Sequence, residues 1–100
     1  MSQITEVIQS PLFAQQKKKL KKNQIKKLDD AIKTIMTNPA IGTVKSGDLQ
    51  GVQVYKHKIG SNLISLAYEV NENTLYLYTF GSHQNFYREL SKYLLMLLSA

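Results

Sequence analysis

Two histidines are the side chains in this sequence best suited to moving protons near neutral pH. His57 stands between Lys56 and Lys58, and His83 lies in the polar run 81–85. In the element order set out below, the first group falls on a predicted strand. The second falls where the last predicted strand gives way to a predicted helix, and a helix N-terminus favours an anion.

Histidine and lysine together suit the cleavage of RNA without a metal ion. In that reaction the ribose 2′-OH attacks the adjacent phosphorus, a base removes its proton, and an acid protonates the departing 5′-oxygen. Cations stabilise the extra charge on the phosphorane. His57 and His83 are the candidates for the two proton transfers, and the hypothesis requires no metal ion and no cofactor.

Other residues beside the histidines complete this candidate site. Fixed positive charge comes from Lys56, Lys58 and Arg88. Two aromatic rings, Tyr55 and Tyr87, are suited to stack on an unpaired base or to orient a phosphate. The ordinary alternative is structural, because a Lys-His-Lys alternation is typical of a polar strand face and tyrosines in a small domain mostly pack. The carboxylates are scattered and have no metal-ligand spacing.

A run of lysines is the second functional signal. Seven of the thirteen basic residues fall between positions 17 and 27 with no acidic residue among them: Lys17, Lys18, Lys19, Lys21, Lys22, Lys26 and Lys27. With a net charge of +6, this cluster indicates a polyanion or an acidic partner protein as the ligand. The alternative is a lysine-coated helix face that is merely solvated.

Composition restricts the class of protein. One hundred residues with 43% apolar content predict a single domain over residues 1–100. The absence of cysteine excludes a disulfide framework, a thiolate nucleophile and a cysteine zinc site. The N-terminus lacks the pattern of a signal peptide, and no apolar run is long enough to cross a bilayer. We therefore expect a soluble cytoplasmic protein with no membrane partner.

Local signals predict a strand and a helical hairpin in the first part of the chain. A strand is expected over residues 3–9, and a helix from Pro11 to Lys22 with Ser10 as its N-cap. Asn23 is predicted to cap a second helix that ends at Asn38-Pro39. The spacing of one buried stripe supports the second helix: Ile25, Leu28, Ile32, Ile35 and Met36.

The remainder is predicted to form a meander and a last helix. Residues 40–51 have no sustained period and are expected to be a loop. Three strands follow at 52–59, 63–70 and 75–80, joined by short turn-forming segments, and they predict an antiparallel meander. A helix is predicted from Gln84 to Leu98. The fold class is α+β, with helices packed on one sheet.

This order of elements and several short motifs resemble the RelE/ParE toxin superfamily over almost the whole chain. Gly60 stands in a turn before an apolar strand that ends in Tyr68-Glu69-Val70. The next strand runs into Gly81-Ser82-His83, with Phe86-Tyr87 shortly after it. Each motif is short, and the resemblance depends on their order and spacing.

The resemblance implies a toxin of a type II toxin–antitoxin system, a ribosome-dependent mRNA endonuclease that inhibits translation. In that branch the cutting residues lie on the first meander strand, on the second strand and in the terminal motif. Carried over to this sequence, they are Lys56, His57, Lys58, His83 and Tyr87. A YafQ-like subgroup uses histidine where other members have arginine in the terminal motif, so His83 is the best candidate for general acid or base.

The sequence departs from the pattern at one position. Many members carry arginine in the second meander strand, where this chain has Ser65, so a phosphate-binding cation is missing. Either Lys56 and Lys58 take over its share, or the activity differs. The ParE-like branch inhibits DNA gyrase and lacks the nuclease residues, so gyrase inhibition is the alternative. A non-catalytic nucleic-acid-binding module is the third hypothesis.

The resemblance and the charge also imply partners. An acidic antitoxin is expected to fold an amphipathic segment across the lysine-coated helices and the sheet. The ribosome and its messenger RNA are the expected targets, and DNA gyrase is the alternative target.

Overall fold

One mixed sheet with two α-helices on one of its faces makes up the part of the chain that the structure describes. The computed structural model describes residues 4–44 and 51–82. In chain order the elements are β1 (Glu6–Gln9), α1 (Pro11–Lys18), α2 (Lys22–Thr37), a short 3₁₀ turn (Pro39–Ile41), β2 (Thr43–Val44), β3 (Gln53–Ile59), β4 (Asn62–Asn71) and β5 (Thr74–Ser82).

The strand order is β1-β5-β4-β3-β2. Strands β3, β4 and β5 form the predicted antiparallel meander, and β1 adds to its edge parallel to β5. Parallel neighbours need a long crossover, and here α1, α2 and the meander itself separate β1 from β5 in the chain. The α+β architecture predicted from the sequence is confirmed.

The core lies between the helices and the face of the sheet that we call the helix face. Alternate residues of β4 and β5 point into it, among them Leu66, Tyr68, Leu75 and Leu77. Their partners from the segments before and within the helices are Ile4, Phe13, Leu28 and Ile35, and Phe80 packs edge-to-face on Phe13 with 5.0 Å between ring centroids. The stripe of α2 predicted from spacing supplies this apolar surface with Leu28, Ile32, Ile35 and Met36, whereas Ile25 is not part of the core cluster.

Helix α1 begins where the sequence predicts and ends earlier. The Ser10 hydroxyl accepts a hydrogen bond of 3.0 Å from the Phe13 amide, and Pro11 occupies the first turn. The helix ends at Lys18, not at the predicted Lys22. Continuing it would stack Lys17, Lys18, Lys21 and Lys22 at spacings of three and four, where like charges repel. The break also turns Leu20 towards the core.

Helix α2 begins two residues before the predicted position. Lys21, not Asn23, is the N-cap residue, and the helix starts at Lys22. A lysine side chain has no acceptor, so the helix end is satisfied otherwise: the Lys21 amide donates to Gln24 Oε1 at 2.8 Å. Asn23 Oδ1 accepts from the Gln24 amide at 3.0 Å. The end of α2 at Thr37, just before Asn38-Pro39, is as predicted.

The segment 40–51, predicted as a loop, holds a short edge strand at Thr43–Val44, which corrects the prediction there, whereas residues 45–50 lie outside the described residues. Thr43 and Val44 pair with β3, and a long-range contact fixes the turn before them. The buried Tyr68 hydroxyl accepts from the Gly42 amide at 2.9 Å and lies 2.7 Å from the Pro39 carbonyl oxygen, to which it donates. A Cβ on Gly42 would come within 2.6 Å of that hydroxyl, so glycine is required there.

The ends of the chain leave some predictions untested. The predicted helix from Gln84 to Leu98 lies outside the described residues. At the other end, β1 begins at Glu6, later than the strand start predicted at residue 3. Among the described helices, none is both long enough and apolar enough to cross a membrane.

We predict that Tyr68→Phe lowers the free energy of unfolding by about 1–3 kcal/mol, because it leaves the Gly42 amide and the Pro39 carbonyl without their partner. Chemical denaturation measures this. Tyr76→Phe is the matched control, since the Tyr76 hydroxyl has no hydrogen bond within residues 4–44 and 51–82. Equal stability of the two variants would show that the Tyr68 hydroxyl does not hold this segment.

Candidate functional site

Strand β3 divides its polar residues between the two faces of the sheet. Side chains alternate along a strand, and residues directly opposite each other on paired strands share a face. Lys56 lies opposite Ser65 and Lys58 opposite Leu63, whereas His57 lies opposite Ile64. The structure therefore brings the two lysines together on what we call the lysine face, and it places His57 on the helix face.

The lysine face presents fixed positive charge on β3, which among the described residues has no second strand neighbour beyond Val54. Lys56 and Lys58 are both exposed, and neither is in an ion pair within the described ranges. A row of directly opposed residues runs from Lys56 through Ser65 to Gly81 near the end of β5. With neighbouring strands about 4.8 Å apart, Lys56 and Gly81 are separated by roughly 10 Å between their Cα atoms. A lysine side chain spans much of that distance.

Ser65 occupies the centre of this row but is not available to a ligand. Its side chain is fully buried, and its hydroxyl has no hydrogen-bond partner in the part of the chain that the structure describes. This is the position at which the superfamily resemblance leads one to expect arginine. The exposed cations of the lysine face are therefore those of β3, one strand away.

His57 lies in a partly buried site between the sheet and the helices. Its ring stacks on Tyr55 with 5.7 Å between ring centroids and 12° between planes. Both ring nitrogens are buried and without a hydrogen-bond partner among the described residues. Burial lowers the pKa of His57, and a weak interaction with the Tyr55 backbone opposes the shift only in part. His57 is therefore a neutral ring at pH 7, directed away from Lys56 and Lys58.

The end of β5 leads directly into the predicted terminal motif. Gly81 and Ser82 are its last residues, paired with Ser65 and Ile64 on β4. His83, Tyr87 and Arg88 lie outside the described residues, so the roles predicted for them stay predictions.

A second basic surface covers the helical hairpin. Lys17 donates to Asp29 at 2.9 Å and so ties α1 to α2, an ion pair worth less than about 1 kcal/mol at such exposure. The other lysines of the run are exposed and without an ion pair in the described ranges: Lys18, Lys19, Lys21, Lys22, Lys26 and Lys27. Lys27 also lines an open cleft between the start of α2 and the β3–β4 turn. Thus six of the seven predicted lysines present unpaired charge to solvent.

Two features of the site were missed by sequence reasoning. Gln16 of α1 hydrogen-bonds to Thr79 and Phe80, more than sixty residues away, and Ser10 donates to the Tyr78 carbonyl in addition to capping α1. Local spacing gives no signal for either contact.

Within residues 4–44 and 51–82, no group of three histidine or acidic side chains is placed to hold a metal ion.

The partly buried His57, whose ring nitrogens have no hydrogen-bond partner among the described residues, predicts a pH-dependent stability. The unfolded chain takes up a proton at His57 below about pH 6.5, while the folded protein resists protonation, so the free energy of unfolding falls as the pH drops below 6.5. We predict that His57→Phe, which keeps the stacking and removes both unpaired nitrogens, flattens the fall between about pH 7.5 and about pH 5.5. Denaturation at both values measures this. An unchanged slope in His57→Phe would show that the fall comes from another group.

Comparisons with known proteins agree on the fold. The closely superposing structures include a mutant of the E. coli toxin RelE in the free state, with a TM-score of 0.70 and 16% identity over 98% of this chain and 99% of that one. The E. coli RelBE toxin–antitoxin complex gives a TM-score of 0.63 and 17% identity, over 79% and 96%. YafQ from E. coli strain BL21(DE3) gives a TM-score of 0.52 and 17% identity, over 82% of this chain and 97% of that one. At these identities the likeness shows the fold alone.

Sequence comparison adds the family. No curated protein sequence matches the chain. A family model described as the ParE-like toxin of type II bacterial toxin–antitoxin systems matches residues 7–91, which is most of the chain. The chain therefore belongs to the ParE-like toxins of type II toxin–antitoxin systems, within the RelE/ParE superfamily.

Proposed function

We propose that this toxin is a ribosome-dependent mRNA endonuclease that inhibits translation. The observation that carries the proposal is the lysine face: Lys56 and Lys58 are exposed and unpaired, in line with the strand end that leads into His83. Consecutive Cα atoms are about 3.8 Å apart, so His83 starts beside Ser82. The proposal is that His83 supplies a titratable group beside these two fixed cations.

In the proposed reaction the ribose 2′-oxygen attacks the adjacent phosphorus and the bond to the 5′-oxygen breaks. One proton leaves the 2′-OH and another reaches the departing 5′-oxygen, which gives a 2′,3′-cyclic phosphate and a 5′-hydroxyl. His83 is the proposed general acid or base. Lys56 and Lys58 stabilise the phosphorane charge, with Arg88 as a further cation, and Tyr87 orients the substrate. No metal ion or cofactor takes part.

The roles of the other predicted β3 residues follow from their face. His57 and Tyr55 stack on the helix face, where His57 is neutral and partly buried. Direct participation of His57 in cutting stays a prediction, and its placement favours a structural role on the face of β3 opposite the lysines. Stacking of a base on Tyr55 likewise stays a prediction.

The hairpin lysines are proposed to hold ribosomal RNA. Their six unpaired charges lie on an exposed surface, and binding of that kind depends on the release of counterions. The ribosome would then align the messenger RNA with the lysine face, so that much of the substrate positioning is supplied by the target. A small toxin needs few contacts of its own in such an arrangement.

An acidic antitoxin is the proposed partner in a cytoplasmic toxin–antitoxin pair. The E. coli RelBE structure is a toxin–antitoxin complex, and the archaeal structure of this fold is a RelE–RelB complex. For this chain, the net charge of +6 favours an acidic, amphipathic segment that covers the basic surface.

Inhibition of DNA gyrase is the second candidate function. The matching family model is ParE-like, and the serine at position 65 is buried where a nuclease of the superfamily is expected to place arginine. This candidate requires no cutting residues. It predicts blocked supercoiling and DNA damage signals with messenger RNA left intact.

We predict that inducing the toxin without an antitoxin cleaves translated messenger RNA within minutes, and that His83→Ala abolishes cleavage with little loss of folding. Primer extension maps the cuts, and thermal unfolding checks the variant. Growth arrest with intact messages would favour gyrase. RNA binding without cleavage or arrest would leave a non-catalytic binding module.

We predict that replacing Lys18, Lys19, Lys21 and Lys22 by glutamine weakens ribosome binding while leaving the fold intact. Each lost phosphate contact should reduce the slope of log affinity against log salt by about 0.7–0.9. Co-sedimentation with ribosomes between about 50 mM and about 200 mM salt measures this. Lys33→Gln, also exposed on α2, is the control. An unchanged slope would remove the hairpin from ribosome binding.

A further inference from the structure

One extra residue in strand β5 shifts the alternation of its side chains between the two faces of the sheet. Ala67 pairs with Thr79 but Tyr68 pairs with Leu77, so Tyr78 is an extra residue in a β-bulge. Before the bulge, Leu75 and Leu77 point into the core. After it, Phe80 does so, and Gly81 shares the lysine face with Lys56.

Strand β5 also loses its neighbour β1 at this point, while β4 continues along its other edge. Strand β1 pairs with β5 only as far as Leu77, and the Ser10 hydroxyl then binds the Tyr78 carbonyl. Beyond Tyr78 the side-chain amide of Gln16 takes the place of a strand. Its Nε2 donates to the Phe80 carbonyl at 2.9 Å, and its Oε1 accepts from the Phe80 amide at 3.2 Å.

A third contact completes this arrangement. The Thr79 hydroxyl donates to the same Gln16 Oε1 at 3.0 Å. Because Phe80 offers both an N–H and a C=O, only a side chain with a donor and an acceptor at this reach satisfies both backbone groups. The two residues that Gln16 contacts, Thr79 and Phe80, are both buried, so water does not readily replace the side-chain amide of Gln16.

We propose that Gln16 is a positioning residue: by holding Thr79 and Phe80 it fixes the end of β5, and therefore where the chain enters the site at His83. The inference rests on the proposed function for its link to RNA cleavage. Gln16 need not contact the substrate. A loosened strand end would move the proposed acid or base relative to Lys56 and Lys58, and a displacement of about 1 Å is enough to cost roughly 100-fold in rate.

Three variants separate positioning from general stability. Gln16→Leu removes donor and acceptor at similar size, whereas Gln16→Glu keeps the acceptor for Thr79 and the Phe80 amide but loses the donor. Gln15→Leu is the matched control, since Gln15 is the preceding residue of α1 and is exposed, and its side chain has no hydrogen bond within the described residues.

The first measurement is amide hydrogen exchange followed by NMR, which does not depend on the target. We expect the Phe80 amide to lose protection in Gln16→Leu and to keep part of it in Gln16→Glu, with resonances of Gly81 and Ser82 shifted. Gln15→Leu should match the wild type. Unchanged Phe80 protection in Gln16→Leu would overturn the inference whatever the toxin acts on.

The second measurement is messenger RNA cleavage on programmed ribosomes, at a temperature at which thermal unfolding shows every variant folded. Gln16→Leu should lower kcat roughly tenfold to 100-fold with KM within about twofold, and Gln16→Glu should recover part of kcat. Lost protection with wild-type kcat would overturn the positioning role. If the wild type cleaves no RNA, the proposed function fails, and growth arrest on induction becomes the readout in place of kcat. Loss of arrest in Gln16→Leu but not in Gln15→Leu would then support the inference. Arrest retained in Gln16→Leu would overturn it.

Discussion

The two-residue period of β3 is the constraint on which the functional surface depends. Adjacent residues of a strand point to opposite faces, so Lys56 and Lys58 are separated from His57 by the sheet itself. The helix face has to be apolar because Leu66 and Tyr68 on the neighbouring strand pack in the core. A slip of the pairing by one residue would bury both lysines, which the desolvation of charge forbids. The core therefore dictates which cations the other face displays.

Side chains replace missing strand neighbours at both ends of the functional region. Near β2, the Tyr68 hydroxyl satisfies backbone groups of Gly42 and Pro39 and so orders the segment that pairs with β3. Burial raises the pKa of Tyr68, which keeps the phenol protonated and able to donate. Near the end of β5, Gln16 supplies a donor and an acceptor where β1 no longer reaches. In both places a polar side chain satisfies backbone groups that no neighbouring strand reaches.

Much of this fold was predictable because its signals are local. The cap at Ser10, the stop before Pro39 and the turns of the meander each depend on residues close in sequence, and these predictions are confirmed. The end of α1 was missed because like-charge repulsion competes with helix propensity. Strand β2 and the bulge in β5 were missed because both are fixed by contacts between residues far apart in the chain, such as Tyr68 with Gly42.

The candidate site was predictable in its residue types but not in its grouping. Adjacency in sequence joined Lys56, His57 and Lys58, although the alternation of a strand separates the middle residue from its two neighbours. The pairing register with β4 then reveals that His57 is the one on the helix face. The hairpin lysines were predictable as a charged surface, with the exception that Lys17 is engaged by Asp29. Gln16 carries no sequence signal, because a glutamine on a partly polar helix is ordinary until its partner is known.

The most direct test of a cleavage site on the lysine face compares the two faces of β3 in the same assay. We would measure single-turnover cleavage of ribosome-bound messenger RNA by the double variant Lys56→Gln, Lys58→Gln beside His57→Phe, with folding checked for both. The placement of these residues predicts a loss of about 100-fold or more in the lysine variant and a rate within a few-fold of the wild type in His57→Phe. Abolished cleavage in His57→Phe, with the lysine variant still active, would contradict it and put the chemistry on the helix side of the sheet.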